Sequence, residues 1–248
     1  MATIALIGAD GSGKTTIAKM ILQTSGIKWK YIYMGLNIES SNYSLPTSKL
    51  MYYLKVMKYK KKHKELKNEK LRNLSLHKLH DDRREDPRGK IGATARLINR
   101  IAEALYRQFF ALFFQILGYT ILFDRHFLFD ASTSSTGEKL KRQRLSTKLH
   151  RWFLNNLYPK PGLAILLYAP AEVLYNRKGE ADVEYLESRN RSFLKTGRSL
   201  DNFVVIDATQ SIDKVFEDVM SNIREFLQKG KKKFKPINSA SFNFQESD

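Results

Sequence analysis

The chain has no cysteine in its 248 residues, which excludes disulfides and thiolate metal sites. That composition suits a reducing, cytoplasmic setting. A long hydrophobic run is also missing. The longest apolar stretch, 109–123, is broken by Gln115, Gly118 and Thr120 and bounded by Arg107 and Asp124. A membrane helix needs roughly 18–20 apolar residues. The stretch is therefore expected to form a helix end, a turn at Gly118 and a buried strand over 120–123. The first apolar run begins almost at Met1, so no secretory leader is expected. No internal repeat is visible. Acidic residues are scarce: 25 Asp and Glu face 43 Lys and Arg, a net charge of +18. Such a field attracts polyanions (nucleotides, nucleic acid, anionic lipid, acidic saccharide) without choosing among them.

What is present is more specific. Gly8-Ala9-Asp10-Gly11-Ser12-Gly13-Lys14-Thr15 fits the phosphate-binding pattern G-x-x-x-x-G-K-[ST]. Gly8, Gly11 and Gly13 let the backbone curl so that several N–H groups, Ser12 and Thr16 included, point at one anion. Lys14 has the reach for β- and γ-phosphates, and the Thr15 hydroxyl is a ligand type for Mg²⁺. Residues 3–7 read as a buried strand and 16–23 as a helix whose N-terminus faces the phosphates.

Beyond the loop, apolar runs and helical periodicity alternate. Strands are expected over 29–34, 120–123, 163–168 and 203–206, and helices over 91–117, 139–156, 171–177, 183–195 and 212–227. That order predicts an α/β fold, a mostly parallel sheet with helices on both faces. Residues 50–79 carry Leu, Met and Tyr at helical intervals among many lysines, and 81–90 is a charge cluster broken by Pro87 and Gly89. The region reads as a solvated helical insertion or a surface for an anionic partner. Residues 229–248 read as a basic, poorly ordered tail. Phe109, Phe110, Phe113 and Phe114 read as helix-to-sheet core, with an acceptor-pocket wall as the rival.

Two further constellations carry chemistry. Asp124-Arg125-His126 closes the strand over 120–123. A carboxylate at the carboxyl end of a strand beside the phosphate loop sits at the ligand edge, where it can hold Mg²⁺. Arg125 offers a planar donor fork to phosphate, and His126 reads as loop support. The basic, glycine-containing stretch 176–182, followed by 184–191, has the make-up of a closing lid.

Taken in order, the loop at 8–16, Phe-Asp-Arg-His at 123–126, Arg-Lys-Gly-Glu at 177–180 and Ile-Asp-Ala-Thr-Gln-Ser at 206–211 resemble the thymidylate kinase family of P-loop nucleoside monophosphate kinases, its divergent members above all. The resemblance implies a three-layer P-loop NTPase fold over 1–228, with a helical insertion at about 38–90 and a lid at about 176–195. It implies that Lys14 and Thr15 hold ATP and Mg²⁺, that Asp124 joins Thr15 at the metal, and that Asp10, Arg107 (or Arg100) and Arg125 meet the acceptor. Arg177 would stabilise the transferred charge alongside Lys14, Arg125 and Asp10. Asp207, Ala208 and Thr209 would border the adenine. A homodimer is also a family expectation.

The departures lie on the acceptor side. Family members follow the second strand with Arg-Glu-Pro-Gly-Gly, where this chain has Tyr33-Met34-Gly35-Leu36-Asn37. They follow the Asp-Arg pair with Ser, where it has Phe127-Leu128-Phe129-Asp130 beyond His126. The expected activity is an ATP-dependent kinase acting on a dTMP-like nucleoside monophosphate. The alternatives are a kinase for a sugar, saccharide or other hydroxyl acceptor, with Asp10 or Asp130 as base, and a non-catalytic NTP-binding regulatory protein.

Overall fold

Continuous apolar runs that lack alternation fold as the middle strands of a sheet covered on both faces. A computed structural model describes residues 2–35, 41–62, 90–132, 145–179, 181–230 and 234. Five strands form one all-parallel sheet: β1 (Thr3–Ile7), β2 (Trp29–Tyr33), β3 (Thr120–Asp124), β4 (Leu163–Tyr168) and β5 (Phe203–Asp207), in the order β2-β3-β1-β4-β5. The inner strands β1, β3 and β4 are buried almost throughout, whereas β2 and β5 at the edges are only partly covered.

Among the described residues eight helices flank the sheet: α1 (Lys14–Leu22), α2 (Pro46–Lys62), α3 (Lys90–Ile116), α4 (Phe127–Ser132), α5 (Leu145–Asn156), α6 (Ala171–Lys178), α7 (Val183–Gly197) and α8 (Ile212–Lys229). The expected alternation and parallel sheet are what the chain adopts. The long helix stops at Ile116, and Gly118 N–H closes the turn on Gln115 O at 2.9 Å. Of the insertion, α2 is described and 63–89 lies outside the described residues, as does 139–144 of the expected helix before Tyr158. The short α4 was not anticipated. It forms because Phe127, Leu128 and Phe129 all bury, with Phe129 N–H on His126 O at 3.0 Å. The tail contributes Phe234, which packs edge-on against Phe226 of α8 at 5.5 Å.

The four phenylalanines of α3 divide by helical phase. Phe110 and Phe114 pack against the core, but Phe109 and Phe113 face outward. Phe109 joins Leu105, Leu112 and Ile116 in an exposed stripe with spacings of 4, 3 and 4 residues. Among the described residues no helix is long and apolar enough to cross a membrane.

Strand register sets the site. Leu6 pairs with Asp124, Ile7 with Leu166 and Tyr33 with Asp124, so the carboxyl ends of β1, β2, β3 and β4 share one edge. The chain leaves β1 toward β2 on one side and reaches β4 on the other, so the edge above β1 is the topological switch point where ligands bind.

Candidate active site

The loop after β1 closes tightly on its neighbours. A Cβ on Gly8, at φ 154°, would lie 2.7 Å from the Leu167 carbonyl oxygen and 2.5 Å from Ser12 Oγ, so only glycine fits. Gly11 lies against α6, where an added Cβ would meet Leu174 O at 2.9 Å. Gly13 caps α1 with φ 85°, a left-handed conformation. α1 has no acidic residue in its first turn, so nothing there offsets the positive end of its dipole. Thr15 and Thr16 are exposed in that turn.

Lys14 is buried, and its Nζ curls back to donate to Ala9 O at 2.7 Å and Ser12 Oγ at 3.4 Å. Burial pushes its ammonium down to about 8; the Arg125 and Arg189 charges add to this, while Asp10 and Asp124 oppose it.

Asp124 ends β3 and is 3% exposed. Its Oδ2 accepts from the Tyr31 hydroxyl at 2.8 Å, and its Oδ1 is buried with no hydrogen-bond partner among the described residues. Arg125 follows at φ 65°, a left-handed conformation rare for a residue with a side chain and costing on the order of 1–3 kcal/mol. That conformation lets Arg125 N–H donate to Leu6 O at 3.1 Å while its guanidinium pairs with Asp10 at 2.7 Å. Burial pushes the Asp10 carboxyl up, but Arg125, Lys14, Arg189 and Lys178 outweigh it and hold the group below its usual value. One carboxylate thus sits within the field of four cations.

The expected lid divides into two roles. Arg177, in the last turn of α6, is exposed and donates from Nη1 to Ala208 O at 2.8 Å. Ala208 N–H donates to Tyr168 O at 2.7 Å, and Asp207 Oδ1 accepts from Thr209 N–H and Oγ1 at 2.8 and 2.6 Å. Ile212, just beyond this loop, reaches to 3.9 Å of the Cβ position of Gly13. Ile212 thus brings the start of α8 beside the phosphate loop, and Arg177 braces the loop at 207–209.

Arg189 of α7 is the lid arginine whose charge acts on both Lys14 and Asp10, after the larger effect of Arg125. Its guanidinium lies 4.8 Å over the Phe193 ring, and neighbouring Asn190 anchors α7 by donating to Ala169 O at 2.9 Å. The sequence reading placed 184–191 in the lid without singling out Arg189. The available signal was Phe193 four residues on, an i,i+4 platform for the guanidinium.

Arg107 is engaged within the protein. It is 1% exposed, pairs with Glu103 through Nε and Nη2 at 3.2 and 2.8 Å, and donates from Nη1 to Tyr33 O and Gly35 O at 3.2 and 2.7 Å. It props the chain where β2 ends and does not present an open fork to an acceptor. Arg100 lies near α5, where burial and then the Arg100 charge push His150 down to about 4. His126 is buried, and burial pushes it down to about 3; its Nδ1 accepts from Leu128 N–H at 3.3 Å. A neutral imidazole held by a backbone N–H supports the loop, as the sequence suggested. The side chain of Asp130 lies outside what the structure describes.

These residues fit a nucleotide-borne Mg²⁺. Among the described residues no three acidic, His or Cys side chains converge. Mg²⁺ in phosphoryl-transfer sites is held by one or two carboxylates plus phosphate oxygens and water. The orphaned Asp124 Oδ1 and the exposed Thr15 hydroxyl supply such a set.

No family model matches the chain. It is 24% identical over 236 residues to a thymidylate kinase of Thermosipho africanus, covering 91% of this chain and 98% of that protein. It is 26% identical over 241 residues to a probable thymidylate kinase of Archaeoglobus fulgidus, covering 90% and 95%. Its fold is similar to that of deoxyadenosine kinase from M. mycoides, solved with dCMP and a flexible dCDP. That comparison has a TM-score of 0.51 at 18% identity, covering 90% of this chain and 98% of the other. The same kinase with bound dATP also gives a TM-score of 0.51 at 18% identity, covering 90% and 99%.

Proposed function

We propose that this chain, a P-loop nucleotide kinase similar to thymidylate kinases over nine-tenths of its length, transfers the γ-phosphoryl group of ATP to a nucleoside monophosphate. The observation that carries this reading is the group of cations around Asp10, which pairs with Arg125 at 2.7 Å and also feels the charges of Lys14, Arg189 and Lys178. Such a group suits a substrate that arrives as an anion. A hydroxyl acceptor gains from a base, and a carboxyl held below its usual value is a weak proton acceptor. A phosphomonoester needs none.

The roles then follow from position. Lys14 leaves Ala9 O for the β- and γ-phosphate oxygens, and the N–H groups at the start of α1 complete the cradle. Mg²⁺, when bound at Thr15 and Asp124, neutralises phosphate charge. Arg125 offers its fork to the acceptor phosphate in exchange for Asp10. Arg189 meets the charge on the phosphoryl group in flight, while Arg177 holds Ala208 at the base of the donor. Catalysis is positioning and charge compensation.

One observation favours a hydroxyl acceptor instead: Tyr33-Met34-Gly35 occupies the place of the family's acceptor-phosphate segment. ADP release measured with dTMP, the other nucleoside monophosphates, deoxynucleosides and sugars separates the two. Turnover confined to monophosphates is expected; turnover confined to deoxynucleosides or sugars would contradict the proposal.

The homodimer implied by the family likeness would cover the exposed stripe of Leu105, Phe109, Leu112 and Ile116 on α3. Light scattering is expected to give the mass of two chains, and Phe109→Glu with Ile116→Glu to give one. A wild-type monomer at tens of micromolar would dismiss the dimer (a concentration of the order at which a standard-size interface is populated).

A further inference from the structure

We infer that Tyr31 is a positioning residue for Asp124: its hydroxyl fixes the carboxylate so that one oxygen is committed to the protein and the other is kept for a divalent cation brought in by the nucleotide. The inference deepens the kinase reading and rests on it.

Parallel strands in register point paired residues to the same face. Tyr33 pairs with Asp124 and Tyr31 with Leu122, so Tyr31, Tyr33 and Asp124 share one face of the sheet while Ile32 is buried on the other. From two positions back along β2, the Tyr31 phenol spans to Asp124 Oδ2 and donates at 2.8 Å. A carboxyl torsion is otherwise broad and roughly two-fold. Among the described residues this is the hydrogen bond that orients the Asp124 carboxylate, since Oδ1 has no partner. A buried oxygen without a partner is rare in a folded protein and asks for a ligand. Groups that orient a metal-binding carboxylate commonly change metal affinity by ~10–100-fold when removed. The family-like motif at 123–126 contains the carboxylate but not the residue that holds it, because Tyr31 lies 93 residues away in sequence.

The test is calorimetric and does not depend on turnover. A non-hydrolysable ATP analogue is titrated into wild type, Tyr31→Phe, Asp124→Asn and the double variant, with Mg²⁺ and with EDTA. Wild type is expected to bind the analogue more tightly with Mg²⁺. Tyr31→Phe is expected to lose that metal advantage by about tenfold while its affinity in EDTA stays within about twofold. On the Asp124→Asn background the change is expected to add nothing. Tyr31→Gln, which keeps a donor on a shorter stem, is expected to fall between Phe and wild type, and it serves if the Phe variant proves unstable. An undiminished metal advantage in Tyr31→Phe, an equal loss with and without metal, or full additivity with Asp124→Asn would overturn the inference while leaving the kinase reading in place. No metal advantage in wild type would overturn both.

Discussion

Lys14→Met is expected to lower kcat/KM by at least ~10³-fold, the scale of one preorganised charge at a transferring phosphoryl group, while the melting temperature holds or rises. The two halves of this expectation share one cause. Lys14 is buried at the phosphate loop, and burial together with the Arg125 and Arg189 charges pushes its ammonium down to about 8. Keeping it charged costs folding free energy, which its hydrogen bonds to Ala9 O and Ser12 Oγ offset only in part. Methionine removes that cost together with the group that phosphates would pay for. The same shift gives a pH signature. Above about 8 the free protein's Lys14 is increasingly neutral, so ATP-analogue affinity is expected to weaken as pH rises from 7 to 9. In Lys14→Arg, whose guanidinium stays charged, the weakening is expected to vanish, although binding is poorer at every pH. A flat profile in wild type would assign the phosphate contact elsewhere.

Arg107→Met is expected to destabilise the protein by roughly 3–5 kcal/mol, the usual consequence of leaving a buried charge without its partner. Read as a melting temperature, that is a fall of about 10 °C for a chain of this size. Arg107 is the hub of a network that crosses three elements. Glu103 Oε1 takes two of its N–H groups, Glu103 Oε2 accepts from Leu45 N–H at 3.1 Å, and the Tyr33 and Gly35 carbonyls take two more. Removing the guanidinium strands Glu103 and two carbonyls at once. Glu103→Gln in the same chain relieves the charge and is expected to recover part of the loss. If Arg107 instead served the acceptor directly, Arg107→Met would raise the acceptor KM with little change in stability, and Glu103→Gln would rescue nothing.

The same two residues show how much of the site could be read from the sequence. Lys14 was legible because eight consecutive residues encode the loop that holds it, and strand β1 and helix α1 flank it in the chain. Asp124 was legible because a run of apolar residues defines β3, and its last residue must fall at the ligand edge. The contacts of Arg107 are not legible because they include carbonyls 72 and 74 residues distant, and a carbonyl leaves no mark in sequence. Arg177 reads as a lid residue in sequence, and its contact with Ala208, 31 residues on, is likewise long-range. Arg189 escaped notice because its approach to Lys14 depends on how α7 is anchored at Ala169, a tertiary matter. Local sequence therefore marks the phosphate loop and the end of β3, whereas the partners of Arg107, Arg177 and Arg189 are set by long-range packing.

The acceptor half follows the same logic. Tyr33 and Gly35 replace a motif, so pattern matching has nothing to match there. The structure supplies the missing account: Arg107 grips their carbonyls, and Tyr31 beside them is tied to Asp124. The Arg107 contacts and the Tyr31–Asp124 bond both sit on the end of β2, so substitutions at either are expected to be felt at the other.

The central claim is phosphoryl transfer, and its most direct measurement follows the phosphorus. ATP labelled at the γ-position is incubated with the protein, Mg²⁺ and a mixture of nucleoside monophosphates, and the products are separated. The account predicts label in a nucleoside diphosphate and none after Lys14→Met. Label that stays in ATP or leaves only as orthophosphate, in a protein that binds ATP, would contradict it and favour a nucleotide-binding regulator.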